Sequence, residues 1–181
     1  MHDNQRQTQW SYIAGVMDSD GCFMITRHKK KTQRKDYPHR VENWSWTYTA
    51  CVKITQIQPE AVTFIKEEMG HGTISIVGAR LSRPNSMPLY EWSIKDIKKV
   101  RSFLEEVIPY LRIKKNRAKF LLDYCKQATY LERGKRTHGL SKDELIYREE
   151  SYQKMRELNG KKVAATTKSH GHESVSDSLI L

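Results

Sequence analysis

The 181-residue sequence predicts an α+β domain built on a four-stranded antiparallel sheet, and three observations carry that expectation. Segments 47–56 and 89–94 alternate apolar and polar side chains with the period of a half-buried strand. Segment 96–108 repeats Ile97, Val100, Leu104, Val107 and Ile108 at three-four spacing, the mark of a helix with one buried stripe. Strands arrive in pairs between helices, so they close as hairpins and run antiparallel.

Each element has a local cause. Thr8 precedes a mostly apolar run holding Trp10, Ile13, Val16 and Met17, and Gly21 can release the chain, which predicts a helix from Thr8 to near Asp18. Segment 22–26 is strand-like. Segment 27–40 follows with seven Lys/Arg and one acid and is expected to form a long hairpin tip. In 47–56, Tyr48, Ala50, Val52 and Ile54 share the core face, while Thr47, Thr49, Cys51, Lys53 and Thr55 face outward.

Pro59 suits a first helical turn and Gly70 a stop, which predicts a second helix over 59–69. Segments 72–77 and 89–94 make the second strand pair, and Asp96 opens the third helix, which Pro109 ends. A fourth helix is expected over 115–127, with Ala118, Leu121, Leu122 and Cys125 inward. Ser141 and Glu144 have capping-box spacing ahead of a charged helix to about Leu158, whose apolar stripe is Leu145, Tyr152, Met155 and Leu158. The order is αββαββα over 1–130, then a helical extension over 131–159. The Lys-, Thr-, Ser- and His-rich remainder, 160–181, is expected to be disordered.

With 32 Lys+Arg against 21 Asp+Glu, the net charge of +11 favours a polyanionic partner, and nucleic acid is the commonest inside a cell. No run of 18 apolar residues and no apolar signal segment occurs, so a soluble intracellular protein without a membrane partner is expected. Three cysteines, Cys22, Cys51 and Cys125, lack the spacing of a zinc knuckle and are odd in number for a disulfide framework.

The most specific segment is Ile13-Ala14-Gly15-Val16-Met17-Asp18-Ser19-Asp20-Gly21. Ala14 and Gly15 would let this helix approach another backbone closely. Asp18 and Asp20 sit at the negative end of the helix dipole, where carboxylates are unfavourable unless a cation joins them. A divalent metal explains them, and a helix C-cap with a turn carboxylate is the other reading. The nonamer resembles the signature of the LAGLIDADG homing endonucleases, with apolar exchanges at Ile13, Val16 and Met17 and Ser19 in place of an alanine. The likeness spans about 8–127.

Two further segments look like the single-motif branch of that family. Val52-Lys53-Ile54-Thr55-Gln56 is similar to the strand that delivers a polar active-site residue, here Gln56, which could also be a plain strand-end amide. Segment 109–118 is similar to the turn whose lysine reaches the cleavage centre, here Lys114, which could also be an exposed helix-start lysine. Where some relatives carry a basic residue after the glutamine, this chain has Glu60, and Arg112 or Lys115 would have to substitute.

The resemblance implies a homing-endonuclease fold with a curved sheet, used in intron homing to hydrolyse one phosphodiester on each strand of a long pseudo-palindromic target. It implies Asp20, Gln56 and Lys114 as catalytic residues, with Mg²⁺ or Mn²⁺ held by Asp20 and the Ser19 carbonyl. It implies a homodimer joined at Ile13, Ala14, Gly15 and Met17. The sheet would lie in the major groove of double-stranded DNA, and the strand parity then makes Met24, Thr26, His28, Lys30, Thr47, Thr49, Cys51, Lys53, Thr73, Ser75, Glu91 and Ser93 the DNA-facing set. An intron maturase, with RNA as partner, or a non-cleaving nucleic-acid-binding regulator on the same scaffold are the alternatives.

Overall fold

The computed structural model describes residues 2–32, 43–78, 87–132 and 141–161. The elements run α1 (His2–Ser19), β1 (Gly21–Thr32), β2 (Asn43–Gln56), α2 (Pro59–Met69), β3 (Thr73–Val77), β4 (Leu89–Ile94), α3 (Ile97–Val107), α4 (Lys115–Glu132) and α5 (Lys142–Leu158). The strands form one antiparallel sheet in the order β1-β2-β4-β3. This is the α+β, αββαββα arrangement with an added C-terminal helix, and the segments beyond 161 lie outside the described residues.

One face of the sheet is apolar and takes the helices. Phe23, Ile25, Tyr48, Ala50, Val52 and Ile54 from β1 and β2 join Trp92 and Ile94 of β4 in a core closed by Val62, Ile65, Val100, Phe103, Leu104, Leu121 and Cys125. The inward set of 47–56 is therefore the set its alternation names. Two local signals also act as read. Asp96 accepts from the backbone N–H groups of Lys98 and Lys99, and Gly70 ends α2 at φ 62°, a left-handed turn that suits glycine.

Four details differ from the sequence reading. α1 begins at His2 rather than after Thr8. Its polar first turns contain no helix breaker, Arg6 pairs with Glu106 of α3 at 3.0 Å, and the Thr8 hydroxyl bonds back to the Asn4 carbonyl instead of capping. The basic run is not all hairpin tip, because Arg27–Thr32 pairs in register with Asn43–Tyr48; the rest, 33–42, is outside the described residues.

Leu122 is only half-buried on α4, where Tyr124 and Ala128 join Ala118, Leu121 and Cys125 inside. Most different is α5. It docks on a largely polar face, Glu144, Arg148, Ser151 and Met155, while Leu145, Tyr152 and Leu158 are half-buried beside it. Arg148 and Glu144 pair at 2.8 Å on that face, one turn apart, so a charged pair stands where the sequence suggested an apolar stripe. Ser141 caps the helix by accepting from Glu144 N, and the Glu144 carboxylate turns inward to Arg148.

Candidate active site

The C-terminal end of α1 lies where β1, β2 and the α3–α4 turn meet. Gly21 makes that junction tight: a Cβ there would lie 2.5 Å from Met17 Cε and 2.6 Å from Met17 O, so no side chain fits. Asp20 is exposed at this end. Its Oδ2 accepts from Gln56 Nε2 at 2.7 Å and from the Ser19 hydroxyl at 3.0 Å. Gln56 is the last residue of β2, so the strand end delivers its amide to the helix end.

Lys114 approaches from the α3–α4 turn. Its Nζ donates to the main-chain carbonyls of Ser19 and Gly21 at 2.8 Å each and of Met17 at 3.1 Å, placing a cation on the negative end of α1. Burial lowers the Lys114 pKa, the Arg117 charge lowers it further, and Cys22, Asp18 and Asp20 act in the other direction; the net is below the ordinary lysine value. The three residues the sequence singled out, Asp20, Gln56 and Lys114, thus surround one helix terminus.

Asp18 has a different task from the one its position suggested. Oδ2 accepts from Arg112 N at 2.7 Å and Ile113 N at 3.1 Å, and Oδ1 accepts from Lys114 N at 2.8 Å. Burial pushes this carboxyl up, but the three backbone N–H groups and the Lys114 charge outweigh it and hold the pKa below the usual carboxylate value. The second carboxylate therefore needs no metal: it ties the α3–α4 turn to α1. No motif in 109–118 signals this, because the donors are backbone groups.

Among the described residues there is no group of three His, Cys, Asp or Glu able to hold a metal ion. The donors at this end are a carboxylate with a second oxygen, Oδ1, and the Ser19 carbonyl, which carries two lone pairs of which Lys114 takes one. These hard oxygen donors fit Mg²⁺ or Mn²⁺, which bind through one or two carboxylates and complete their shell with water and phosphate. One chain supplies part of such a site. Of the candidate substitutes for a basic residue at Glu60, Lys115 bonds weakly to the Pro109 carbonyl at 3.5 Å and Arg112 is exposed.

The outward face of the sheet continues from this end. Met24, Thr26, Thr47 and Thr49 are half-exposed, and His28, Thr73 and Ser75 are exposed; Lys30 lies in β1 opposite Ser45, with its side chain outside the described residues. Two members of the expected DNA-facing set are corrected. Cys51 and Ser93 keep the outward parity but are 2% and 8% exposed, because their short side chains sink between longer neighbours such as Lys53 and Glu91. Desolvation also raises the Cys51 thiol pKa, which keeps it neutral.

Lys53 and Glu91 form an ion pair at 2.6 Å across β2 and β4, with Thr55 also reaching the same carboxylate oxygen at 3.4 Å. The Glu91 hydrogen bond is the main cause that raises the Lys53 pKa, against desolvation. Sequence parity put both on one face without revealing that they touch; the register Lys53↔Ser93 and Thr55↔Glu91 makes them diagonal neighbours.

The expected interface residues are corrected as well. Ile13, Ala14 and Met17 are at most 1% exposed and belong to the chain's own core, so of the four only Gly15 stands on the outer side of α1. The open stripe there is Thr8, Ser11, Tyr12, Gly15 and Ser19. A Cβ at Gly15 would meet nothing within 4 Å. The most apolar residues of the nonamer serve the fold, and the exposed face of the helix lies to one side of them.

No protein-family model matches the chain, and no curated protein matches it. Solved structures do. An archaeal intron-encoded homing endonuclease, I-Vdi141I, complexed with DNA, aligns with a TM-score of 0.56 at 18% identity over 91% of this chain and 90% of its own. I-SmaMI bound to uncleaved DNA in the presence of calcium ions aligns at 0.59 and 17% identity, over 86% of this chain and 46% of its own. The LAGLIDADG homing endonuclease I-GzeII, in complex with its DNA target, aligns at 0.56 and 15% identity, over 95% and 54%. At these identities the likeness is one of architecture, and the chain has the fold of the LAGLIDADG homing endonucleases.

Proposed function

We propose that this chain is a site-specific DNA endonuclease that works as a homodimer and makes a metal-dependent double-strand break in a pseudo-palindromic target. The observation that carries the reading is the junction itself, where Asp20, Gln56 and Lys114, from three separate stretches of sequence, surround the end of α1. The outward sheet face begins at that junction, so a duplex lying on the sheet would bring its backbone to Asp20.

In this reading Asp20 and the Ser19 carbonyl hold Mg²⁺ or Mn²⁺. An ion held there would supply activation of a water and neutralisation of charge on the phosphate and the leaving oxygen. Gln56 fixes the rotamer of the Asp20 carboxylate through its 2.7 Å bond. Lys114 holds the helix end against β1 and places positive charge beside the scissile phosphate. Tying Lys114 N to Asp18 fixes the backbone from which that ammonium extends.

One chain offers one exposed carboxylate to the site, whereas two strands must be cut. Packing two copies along Thr8, Ser11, Tyr12, Gly15 and Ser19 would bring their Asp20 residues together on a twofold axis, which suits a pseudo-palindromic site. The empty space around Gly15 supports this seam, since the helix has room there for a second backbone. The half-length alignment to I-GzeII supports the same economy, because that chain has length for two such units.

The test is cleavage of a plasmid library of candidate sites, including the uninterrupted sequence around the gene, with Mg²⁺ and with EDTA. Linear product from one site class with Mg²⁺ alone is expected. Tight DNA binding with no break under any divalent metal would instead place the chain among non-cleaving binders.

A further inference from the structure

The outer half of the β1–β2 ribbon extends past the rest of the sheet. β4 pairs with β2 over Val52–Gln56, so among the described residues no third strand lies beside the rungs from Arg27↔Tyr48 to Thr32↔Asn43. A two-stranded ribbon twists strongly and is marginal by itself. Another element has to set its inclination.

The inner face of the ribbon meets that element. Phe23 and Ile25 point into the core, and the next residue of their parity is Arg27, a charge where the alternation asks for an apolar side chain. Its Nη1 donates to Glu149 Oε1 of α5 at 2.7 Å, and its guanidinium lies 4.4 Å from the centre of the Trp46 ring and 4.8 Å from that of Tyr152. Tyr48, the register partner of Arg27, donates its hydroxyl to Glu149 Oε2 at 2.5 Å, and Gln153 Nε2 donates to Oε1 at 2.6 Å. Burial pushes the Glu149 carboxyl up, but the bonds from Tyr48, Gln153 and Arg27 outweigh it and keep the group ionised. Glu149, Tyr152 and Gln153 have three-four spacing, so one face of α5 grips one rung of the ribbon.

Such a lock sets geometry more than stability. The side chains of Arg27 and Glu149 keep 28% and 34% of their exposure, so solvent screens the pair and its contribution against unfolding is small. Its hydrogen bonds are directional, which an apolar contact is not. The rungs on either side of Arg27↔Tyr48 are Thr26↔Thr49 and His28↔Thr47, whose side chains have the outward parity. The locked rung is six residues along β1 from Gly21, roughly 20 Å from the Asp20 end at about 3.4 Å per residue, whereas Lys53 stands opposite Cys22 at that end.

We propose that the Arg27–Glu149–Tyr48 lock is a specificity device: from the inner face of the sheet it holds the ribbon at the angle at which Thr26, His28, Thr47 and Thr49 meet base edges in the far part of each half-site. This rests on the DNA-cleaving reading. Arg27, Tyr48 and Glu149 are positioning residues, since they lie on the face turned from the duplex and act through the ribbon.

The test takes site-selection profiles and single-turnover cleavage rates of the full-length wild type, Glu149→Gln and Tyr48→Phe. In Glu149→Gln, discrimination at the far positions should fall by about 5-fold or more, the lower end of what a base contact is worth. Preference beside the scissile position, and the cleavage rate at saturating enzyme on the selected site, should match the wild type. Tyr48→Phe keeps the ring and loses one bond to the carboxylate, so it should relax the same positions by about 2-fold or more. It carries the test alone if Glu149→Gln disturbs folding. Folded variants with the wild-type profile, or with loss spread evenly across the site, overturn the lock's part in specificity. A wild type that selects no site overturns the reading beneath it instead.

Discussion

Asp18 and Asp20 stand two residues apart at one helix end, yet their surroundings are opposite. Asp18 turns toward the body of the protein and meets three backbone N–H groups; Asp20 turns outward and meets two side chains, Gln56 and Ser19. A carboxylate saturated by backbone is a structural tie, because any competing ligand must displace fixed donors. A carboxylate held by an amide and a hydroxyl keeps an oxygen for an incoming cation. The lesson is that two identical residues in one motif divide into a saturated anchor and an exposed carboxylate with an open oxygen according to what the rest of the chain brings to them.

Lys114 belongs to both sides of this division, so of the changes that leave both carboxylates in place its loss should have the largest effect. Lys114→Ala leaves the carbonyls of Met17, Ser19 and Gly21 without their cation. We expect cleavage to slow by about 100-fold, in the range of a lost electrostatic contact, and the protein to lose about 1–2 kcal/mol, a figure reduced for partial solvent screening. Single-turnover rates and denaturant unfolding read the two effects separately. A full-speed, fully stable variant would break the comparison at its shared residue.

Gly15→Leu probes the open side without touching either carboxylate. A Cβ there meets nothing within 4 Å, and leucine, ranked close to alanine, is a better helix former than glycine by somewhat less than roughly 1 kcal/mol. Sedimentation should show a monomer at micromolar concentration with an equal or higher Tm. A leucine variant that stays dimeric would move the seam away from α1.

Lys53→Gln tests whether the sheet face reads bases. Its loss strands Glu91 without its 2.6 Å partner and should change discrimination at one base position of each half-site by roughly 1–3 kcal/mol, measured as a site-selection profile. Even loss across all sites would show that the pair contributes charge only.

The smallest effect is the acid limb of Asp18. Its pKa is lower in the folded chain than the ordinary 3.8, so its contribution is fully present above that value and is lost as pH falls through the folded pKa. Asp18→Asn should lose about 1 kcal/mol near neutrality, the scale of a lost capping carboxylate, and should unfold less steeply with acid than the wild type below pH ~4. Unfolding midpoints between pH 2 and 6 check the slope.

How much of this was legible in the sequence follows the physics. Strand parity was, because Tyr48 to Ile54 alternate and the core takes every second residue. Asp20, Gln56 and Lys114 were legible through resemblance, since their contacts span 36 and 95 residues along the chain and no local pattern joins them. The burial of Ile13, Ala14 and Met17 in the chain's own core was not legible, because residues that apolar suit a core and an interface equally and the phase of the helix decides which way they point. The docking of α5 was hidden because its buried face is led by a Glu144–Arg148 pair rather than by leucines. The role of Asp18 was hidden because its partners are main-chain donors, which leave no residue-type signal.

The most direct measurement sets Asp20→Asn beside Asp18→Asn, each tested for cleavage of the selected site with Mg²⁺ and for thermal unfolding. The account predicts that Asp20→Asn keeps the wild-type Tm and binds DNA while cutting at least about a thousand-fold more slowly, as loss of a metal-holding charge requires. It predicts that Asp18→Asn lowers Tm and retains metal-dependent cutting at temperatures where it is folded. Near wild-type cleavage by Asp20→Asn, or unaltered stability with abolished cleavage in Asp18→Asn, would contradict the assignment of the reactive carboxylate.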